Sequence, residues 1–422
     1  MPDPPPRHRH GRLVSRRTYL WRRVAVTVAA VVVLVAVVMG ISQLFGSSPT
    51  TSSSSTTGGG GAPATTAPVT TTTKPGAPVT ISVVGDSDLG NTPTLPPSPS
   101  TYLQPVESAL RAPVVFGNLE GTLTNATASK CGASSTQCYA FRNPPAYAQI
   151  YRAAGFTVMN SANNHSHDFG TQGVADTTAA LQAAGIVQAG LPGQIGLVTV
   201  GGTKVAFVDF APYATTNNLL DLAAATTLVQ QARAEANLVV VYMHAGAEGT
   251  AAEHVTGQEE SYVGEDRGNP KVFAHTAIDD GADLVIASGP HVLRGMEYYN
   301  GHLIAYSLGN FVGYQNFATS GSLDLSGILT VTLNGSGTVT TGHFTSLALS
   351  SVGQPAIDPS DASASLVNQL SNQDFGATAA TVQPNGQLTL PAAPTAPTTT
   401  ATPSKTTPKK SSPKASTNTT KG

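Results

Sequence analysis

Leu238–Glu248, LVVVYMHAGAE, is a six-residue apolar run that ends abruptly at a histidine and a glycine-containing polar turn. A run this short, rich in β-branched residues and followed by a turn, reads as a strand buried on both faces. The residues before it, Leu219–Ala236, have helical periodicity. The same alternation spreads outward in both directions. Strand-like runs occur at Val79–Val84, Pro113–Phe116, Thr157–Asn160, Val205–Phe210, Asp283–Ala287 and Leu303–Ser307. Helical stretches lie at Pro144–Ala154, Gly173–Ala184 and Pro270–Asp280. Buried strands alternating with helices indicate a layered α/β sheet domain. Gly327–Leu333 and Gly342–Leu349 read as antiparallel strands that close the sheet. No linker interrupts residues 78–376, so they are expected to form one body.

Composition narrows the function classes. Charged residues are 11% of the 422-residue chain, against roughly 25% in an average globular domain. Residues 76–376 hold nine basic and 23 acidic residues, a balance of −14. A nucleic-acid reader needs a basic face to neutralise phosphates, which this body lacks. Two cysteines exclude a disulfide-dense scaffold and a four-thiolate zinc site. A single long apolar run excludes a polytopic transporter. There is no G-x-S-x-G elbow and no G-x-x-x-x-G-K-[ST] phosphate loop, so ATP-driven synthesis by this chain alone is not expected.

The ends differ from the body. Residues 1–23 contain seven arginines and form a basic cytoplasmic segment. Residues 24–45 follow as an apolar run long enough to span a bilayer of roughly 30 Å. The arginine asymmetry places the N-terminus inside and the body outside. A cleaved signal peptide would have a shorter apolar region and a small-residue exit, so an uncleaved single-pass anchor in the cell membrane is the expectation. Residues 46–77 are a Ser/Thr/Gly/Pro tether, and residues 377–422 a Thr/Pro/Lys tail expected to be disordered.

Five polar motifs sit at the C-terminal ends of the expected strands. They are Gly85-Asp86-Ser87-Asp88, Gly117-Asn118-Leu119-Glu120-Gly121, Ala162-Asn163-Asn164-His165, His244-Ala245-Gly246-Ala247-Glu248 and Ser288-Gly289-Pro290-His291. Open α/β sheets place ligands at that edge. Carboxylate, amide and imidazole are the donors that a hard or borderline divalent ion takes. Outside the cell, the close pair Cys131 and Cys138 is expected to form a disulfide.

The ordered strings NLEGTLT (Asn118–Thr124), ANNH (Ala162–His165), GPH and YSLGNF (Tyr306–Phe311) resemble the CapA family of capsule and poly-γ-glutamate biosynthesis proteins, which is metallophosphatase-like. The resemblance covers about residues 78–350. It implies a four-layer α-β-β-α sandwich similar to calcineurin-like metallophosphoesterases, attachment to a membrane, and a part in making or exporting an anionic polymer. Carried over position by position, it implies a divalent ion (Mn, Mg, Zn or Fe) held by Asp86, Glu120, Asn164, His244 and His291. His165 is the matching catalytic residue. Asp88, Asn118, Asn163 and Glu248 are further candidates as ligands or as supports, with Glu248 orienting His244. Asn118 stands where a bridging aspartate belongs, and Gly289 where a second histidine belongs. Those departures favour a single-ion site, or binding without catalysis, over a full dinuclear centre.

Two functions follow from this reading. One is an anchored, outward-facing accessory that binds nascent polymer or polymer-synthase membrane subunits. The other is a metal-dependent phosphoesterase or hydrolase acting at the cell surface, with His165 donating a proton to the leaving group.

Overall fold

The structure, a computed structural model, describes residues 76–132 and 138–392. The expected anchor at 24–45 and both low-complexity tracts beyond these limits lie outside the described residues. No helix among the described residues is long and apolar enough to cross a membrane.

Two mixed eight-stranded sheets make the framework. The first is built around β1 (Val79–Asp88) and, parallel to it in turn, β2 (Val114–Leu119), β5 (Val158–Asn160) and β6 (Val187–Ala189). On the other side of β1 the partner changes along its length. Its first half pairs antiparallel with β16 (Leu325–Leu333), and Asp86–Asp88 pair parallel with β15 (Asn310–Gly313). The antiparallel strands β17 (Val339–Leu349) and β18 (Pro355–Ile357) finish that edge, as the paired runs in the sequence suggest. The second sheet has a parallel centre, β8 (Thr203–Phe210), β9 (Leu238–His244), β12 (Leu284–Ser288) and β14 (His302–Ala305). It is flanked antiparallel by β7 (Gly196–Val200) on one side, and by β13 (Met296–Tyr299), β19 (Ala379–Val382) and β20 (Leu388–Thr389) on the other.

The sheets face each other across one apolar layer. Ile81, Val83, Val114 and Phe116 of the first meet Phe207, Val240, Tyr242 and Ile286 of the second, and the Phe116 and Phe207 rings stack at 5.3 Å. Helices cover the outer faces. α2 (Tyr147–Ala153) and α3 (Gly170–Ala184) pack on the first sheet. α4 (Leu222–Glu235) and α5 (Pro270–Asp279) pack on the second. Local chemistry sets the helix ends. The Asp221 side chain accepts the Ala224 N–H and the Asn269 side chain accepts the Val272 N–H, each satisfying a donor that the helix leaves free. α1 (Glu107–Leu110) is a single turn beside the first sheet, and α6 (Ala362–Phe375) wedges between strands of both. Two short pairs complete the chain: β3 (Thr122–Leu123) with β4 (Arg142–Asn143), and the hairpin β10 (Glu260–Tyr262)–β11 (Glu265–Gly268).

The folded body extends beyond the boundary expected at residue 376. β19 is buried against β13, and β20 returns on it through Asn385-Gly386, with Gly386 at φ +81°. An Asn-Gly pair between short strands is a hairpin signal, and it lay hidden within a polar composition.

Candidate metal centre

The parallel strands of both sheets end on the same side, and their last inward-facing residues are polar. Along β1 the inward positions run Val79, Ile81, Val83; a register shift between Val83 and Asp86 then aims Asp86 inward. Gly85 permits this, since a Cβ there would lie 1.9 Å from the Gly309 carbonyl oxygen. That same oxygen accepts the Asp86 N–H at 3.0 Å. The string SLGNF therefore has a mechanical role: its glycine, at φ +64°, docks the Asp86 backbone, and Asn310 pairs in register with Asp86.

Asp86, Glu120 and His291 bring one donor atom each within 4.8 Å of one another. His291 Nδ1 lies 3.2 Å from Asp86 Oδ2 and its Nε2 3.6 Å from Glu120 Oε1. His244 flanks the group, with Nδ1 3.9 Å from Asp86 Oδ1 and Nε2 3.8 Å from Glu120 Oε1. His291 adopts φ +60°, a left-handed conformation uncommon outside glycine. Its Nδ1 is tied to Asn310 Oδ1 at 2.8 Å. Gly289 now has a local reason too. At φ +111°, a Cβ on it would sit 3.2 Å from His244 Nε2, so a side chain there would crowd that nitrogen.

A network of uncharged groups holds Asp86 from behind. Asn118 Nδ2 donates to Asp86 Oδ1 at 2.7 Å, and Ser288 Oγ donates to the same oxygen. Since Ser288 spends its proton there, the Tyr242 hydroxyl donates to Ser288 Oγ. Asn118 Oδ1 accepts from Asn160 Nδ2 at 2.6 Å and Asn163 Nδ2 at 2.9 Å.

Whether these residues suit a cation is decided by what is left unpaired. Both carboxylate oxygens of Glu120, His244 Nε2 and Asn164 Oδ1 are buried without a hydrogen-bond partner. Such groups cost free energy unless something meets them. All four are acceptors or can be, and a cation is what two buried carboxylates and two imidazoles would accept together. The donor set fits a divalent ion.

The electrostatics agree. Burial pushes Glu120 well above the carboxylate range, and the neighbouring Asp86 charge adds to this. Burial opposes ionisation of Asp86 as well, but the hydrogen bond and charge of His291 outweigh it and bring Asp86 down to about 2. Burial would lower His291; the Glu120 charge and the bond to Asp86 prevail and raise it to about 10. His244, buried with less compensation, drops to about 3. His291 thus balances the one carboxylate held ionised, Asp86, and a divalent ion bound here would displace the protons of both His291 and Glu120.

His165 lies beside this group on a separate relay. Its Nδ1 is 2.8 Å from Asp168 Oδ2, which also accepts the Phe141 N–H at 2.6 Å. Burial lowers its pKa despite Asp168, so the ring is neutral at pH 7, with Nδ1–H facing Asp168 and Nε2 left for the cleft. That cleft has two connected parts, of 310 Å³ and 340 Å³, which share Tyr139, His165, Glu248 and Tyr262. His291 and Asn310 line the first, and Asn164 lines the second. A separate 360 Å³ hollow at Phe210, Ala225 and Leu228 is lined by no titratable group among the described residues.

Several candidates take other roles. Asn118 and Asn163 offer no free oxygen: the first accepts two amides, and Asn163 Oδ1 accepts the His165 N–H at 3.0 Å. They are struts. Asp88 is outside the group, its oxygens held by Asn143 and Asn316 amides. A second register shift, between Asp86 and Ser87, parts two carboxylates that simple alternation would align. Glu248 does not orient His244. It faces His291 Nε2 at 3.8 Å and accepts from Arg267 Nη2 at 2.9 Å, because its loop turns toward the β10–β11 hairpin. Cys131 and Cys138 are joined, with Cα atoms 5.6 Å apart. Asn160, Ser288 and Tyr242 support the site, although no motif in the sequence marks any of them individually. Arg267 had no motif around it.

The profile of the bacterial capsule synthesis protein PGA_cap family matches residues 80–315, and the chain belongs to that family. It is 33% identical over 181 residues to the PGA biosynthesis protein CapA of Bacillus subtilis, covering 39% of this chain and 44% of that protein. It is 30% identical over 181 residues to the capsule biosynthesis protein CapA of Bacillus anthracis, covering 38% and 41%. The chain thus matches less than half the length of these curated relatives. Among solved structures, a 5′-nucleotidase precursor from Thermus thermophilus aligns with a TM-score of 0.37 at 13% identity, over 64% of this chain and 54% of that one, a likeness too slight to bear on function.

Proposed function

We propose that this protein is a membrane-anchored, outward-facing participant in making or exporting an anionic surface polymer such as poly-γ-glutamate, and that it works through one divalent ion. The observation that carries this reading is a coincidence of spans. Asp86, Glu120, His244, His291 and Asn310 all lie inside the 80–315 stretch matched to the capsule-synthesis family. Asp86, Glu120, His244 and His291 would hold the ion, with Asn164 offering a fifth oxygen. The metallophosphatase-like, four-layer reading of the fold rests on the same motifs, and the anchor on the arginine-flanked run at 24–45. Polymer-synthase membrane subunits are the partners this role calls for. A body of charge −14 repels a polyanion, so a cation at the cleft floor gives the polymer a point of attachment.

The second reading, a metal-dependent phosphoesterase or hydrolase, draws support from the His165–Asp168 pair at 2.8 Å. A bound ion supplies Lewis-acid polarisation and a more acidic water. The neutral His165 accepts a proton through Nε2. It becomes an acid when an anionic ligand in the cleft raises its pKa.

Deletion and complementation in the host bacterium test the main reading. Loss of the gene should reduce cell-associated anionic polymer, wild type should restore it, and Glu120→Gln should not. An unchanged polymer content in the deletion strain overturns the assignment to polymer synthesis.

A further inference from the structure

Among the described residues that line the cleft, Arg267 is a cation whose buried donors are left unpaired. Its side chain is 4% exposed, on β11. Nη2 donates to Glu248 Oε1 at 2.9 Å and lies 3.3 Å from Glu265 Oε2. Nε and Nη1 are buried without a hydrogen-bond partner. Arginine does not shed its proton to escape that situation, so these donors are a standing cost that an acceptor would relieve.

The side chain is also fixed in advance. The Tyr213 and Tyr262 rings lie 5.9 Å and 5.7 Å from its guanidinium carbon. Its carbonyl accepts the Gly246 N–H at 3.0 Å. The base of the hairpin is stapled by Arg294, whose Nη1 and Nη2 grip Glu260 at 3.0 Å and 2.7 Å. A guanidinium held this way loses little entropy when it binds a two-oxygen anion.

Its surroundings indicate the ligand. Arg267 lines the 340 Å³ part of the cleft with Lys130, Asn164 and His165. Lys130 pairs with Asp168 Oδ1 at 2.7 Å and is 37% exposed. No other Lys or Arg among the described residues lines either part of the cleft, and the 310 Å³ part has Phe141, Phe317 and Leu323 instead. Glu248, Glu265 and Asp168 are the carboxylates that the two cations face at rest. Glu265 is 54% exposed, so its bridge is weak and yields readily to an incoming anion.

We propose that Arg267, with Lys130, forms an oxyanion subsite that holds a carboxylate or phosphate group of the bound molecule next to His165. This deepens the reading above by giving the cleft, beside the His291 end where the ion would sit, a second end that carries Arg267 and Lys130. It rests on that reading only in taking this cleft as the ligand site.

The test is calorimetric titration of the full chain in detergent with tetraglutamate, C-terminally amidated tetraglutamine as the carboxylate-free counterpart, and inorganic phosphate. Each is run with added divalent ion and with chelator. Wild type should bind at least one anion and favour tetraglutamate over tetraglutamine, and the preferred anion tells carboxylate from phosphate. Arg267→Lys keeps the charge but loses the two-donor fork, and should weaken anion binding at least tenfold in both conditions. Lys130→Gln, which is remote from the hairpin staple, should weaken it about threefold and decides the matter if the arginine variant fails to fold. Binding of neither anion by wild type, equal binding of tetraglutamine, or anion affinity unchanged in the folded variants overturns the proposal. Arginine-dependent binding that survives chelation leaves it standing even if the metal reading fails.

Discussion

Glu120 Oε1 and His291 Nε2 stand 3.6 Å apart, one delivered by the first sheet and the other by the second. Glu120 follows β2 and His291 follows β12, so the contact exists only because the two parallel strand sets end on the same side. The apolar layer between the sheets therefore does more than stabilise the body. It sets the distance between the two halves of the candidate centre.

The first prediction concerns the backbone seat of Asp86. Gly85→Ala places a methyl group 1.9 Å from the Gly309 oxygen, and β1 must shift to relieve it. Overpacking of this kind costs roughly 1–3 kcal/mol. Chemical denaturation should show that loss together with weaker metal binding. Wild-type stability in this variant would mean that the β1–Gly309 contact is not tight.

Asp209 gives a pH prediction. Both its oxygens are buried without partners, and burial raises its pKa well above 3.8. Between the unfolded and folded values the native state binds more protons, so the term makes stability fall as pH rises. Asp209→Asn removes that slope. Its melting temperature should gain on wild type between pH 4 and pH 8, whatever the absolute offset. A constant difference across that range contradicts the assignment.

Cys131 and Cys138 close a short loop, seven residues apart in sequence. Chain-entropy arguments put such a closure at about 2.5 kcal/mol. The double serine variant should lose about that much in urea unfolding. Tyr139, next to Cys138 and on the wall of the cleft, should gain hydrogen exchange in its segment.

His165→Ala separates chemistry from metal holding. Any generic phosphodiester hydrolysis by wild type should fall by roughly 10²–10⁴, the usual scale for an acid–base group. Metal content should stay constant. A parallel fall in metal content would make His165 a ligand instead.

The legible parts of this protein are those fixed by local pattern. Leu238–His244 and Leu284–Ser288 betray themselves because strands buried on both faces are continuous apolar runs, and the polar residues that stop them form the site. What escaped the sequence depends on neighbours distant in the chain. Asp88 follows Asp86 by two, yet a register shift diverts it. Glu248 meets Arg267 rather than His244 because a hairpin leans over its loop. Arg267 lies in that hairpin, among residues with no periodicity to mark them.

Asp86, Glu120, His244 and His291 are proposed to hold one divalent ion. Mass-spectrometric metal analysis of the full chain, loaded with Mn or Zn and passed through gel filtration, tests it directly. Wild type should carry close to one ion per chain, with strongly reduced occupancy in Glu120→Gln and His291→Ala at preserved folding. Wild type that retains no ion, or variants that retain as much as wild type, would contradict it.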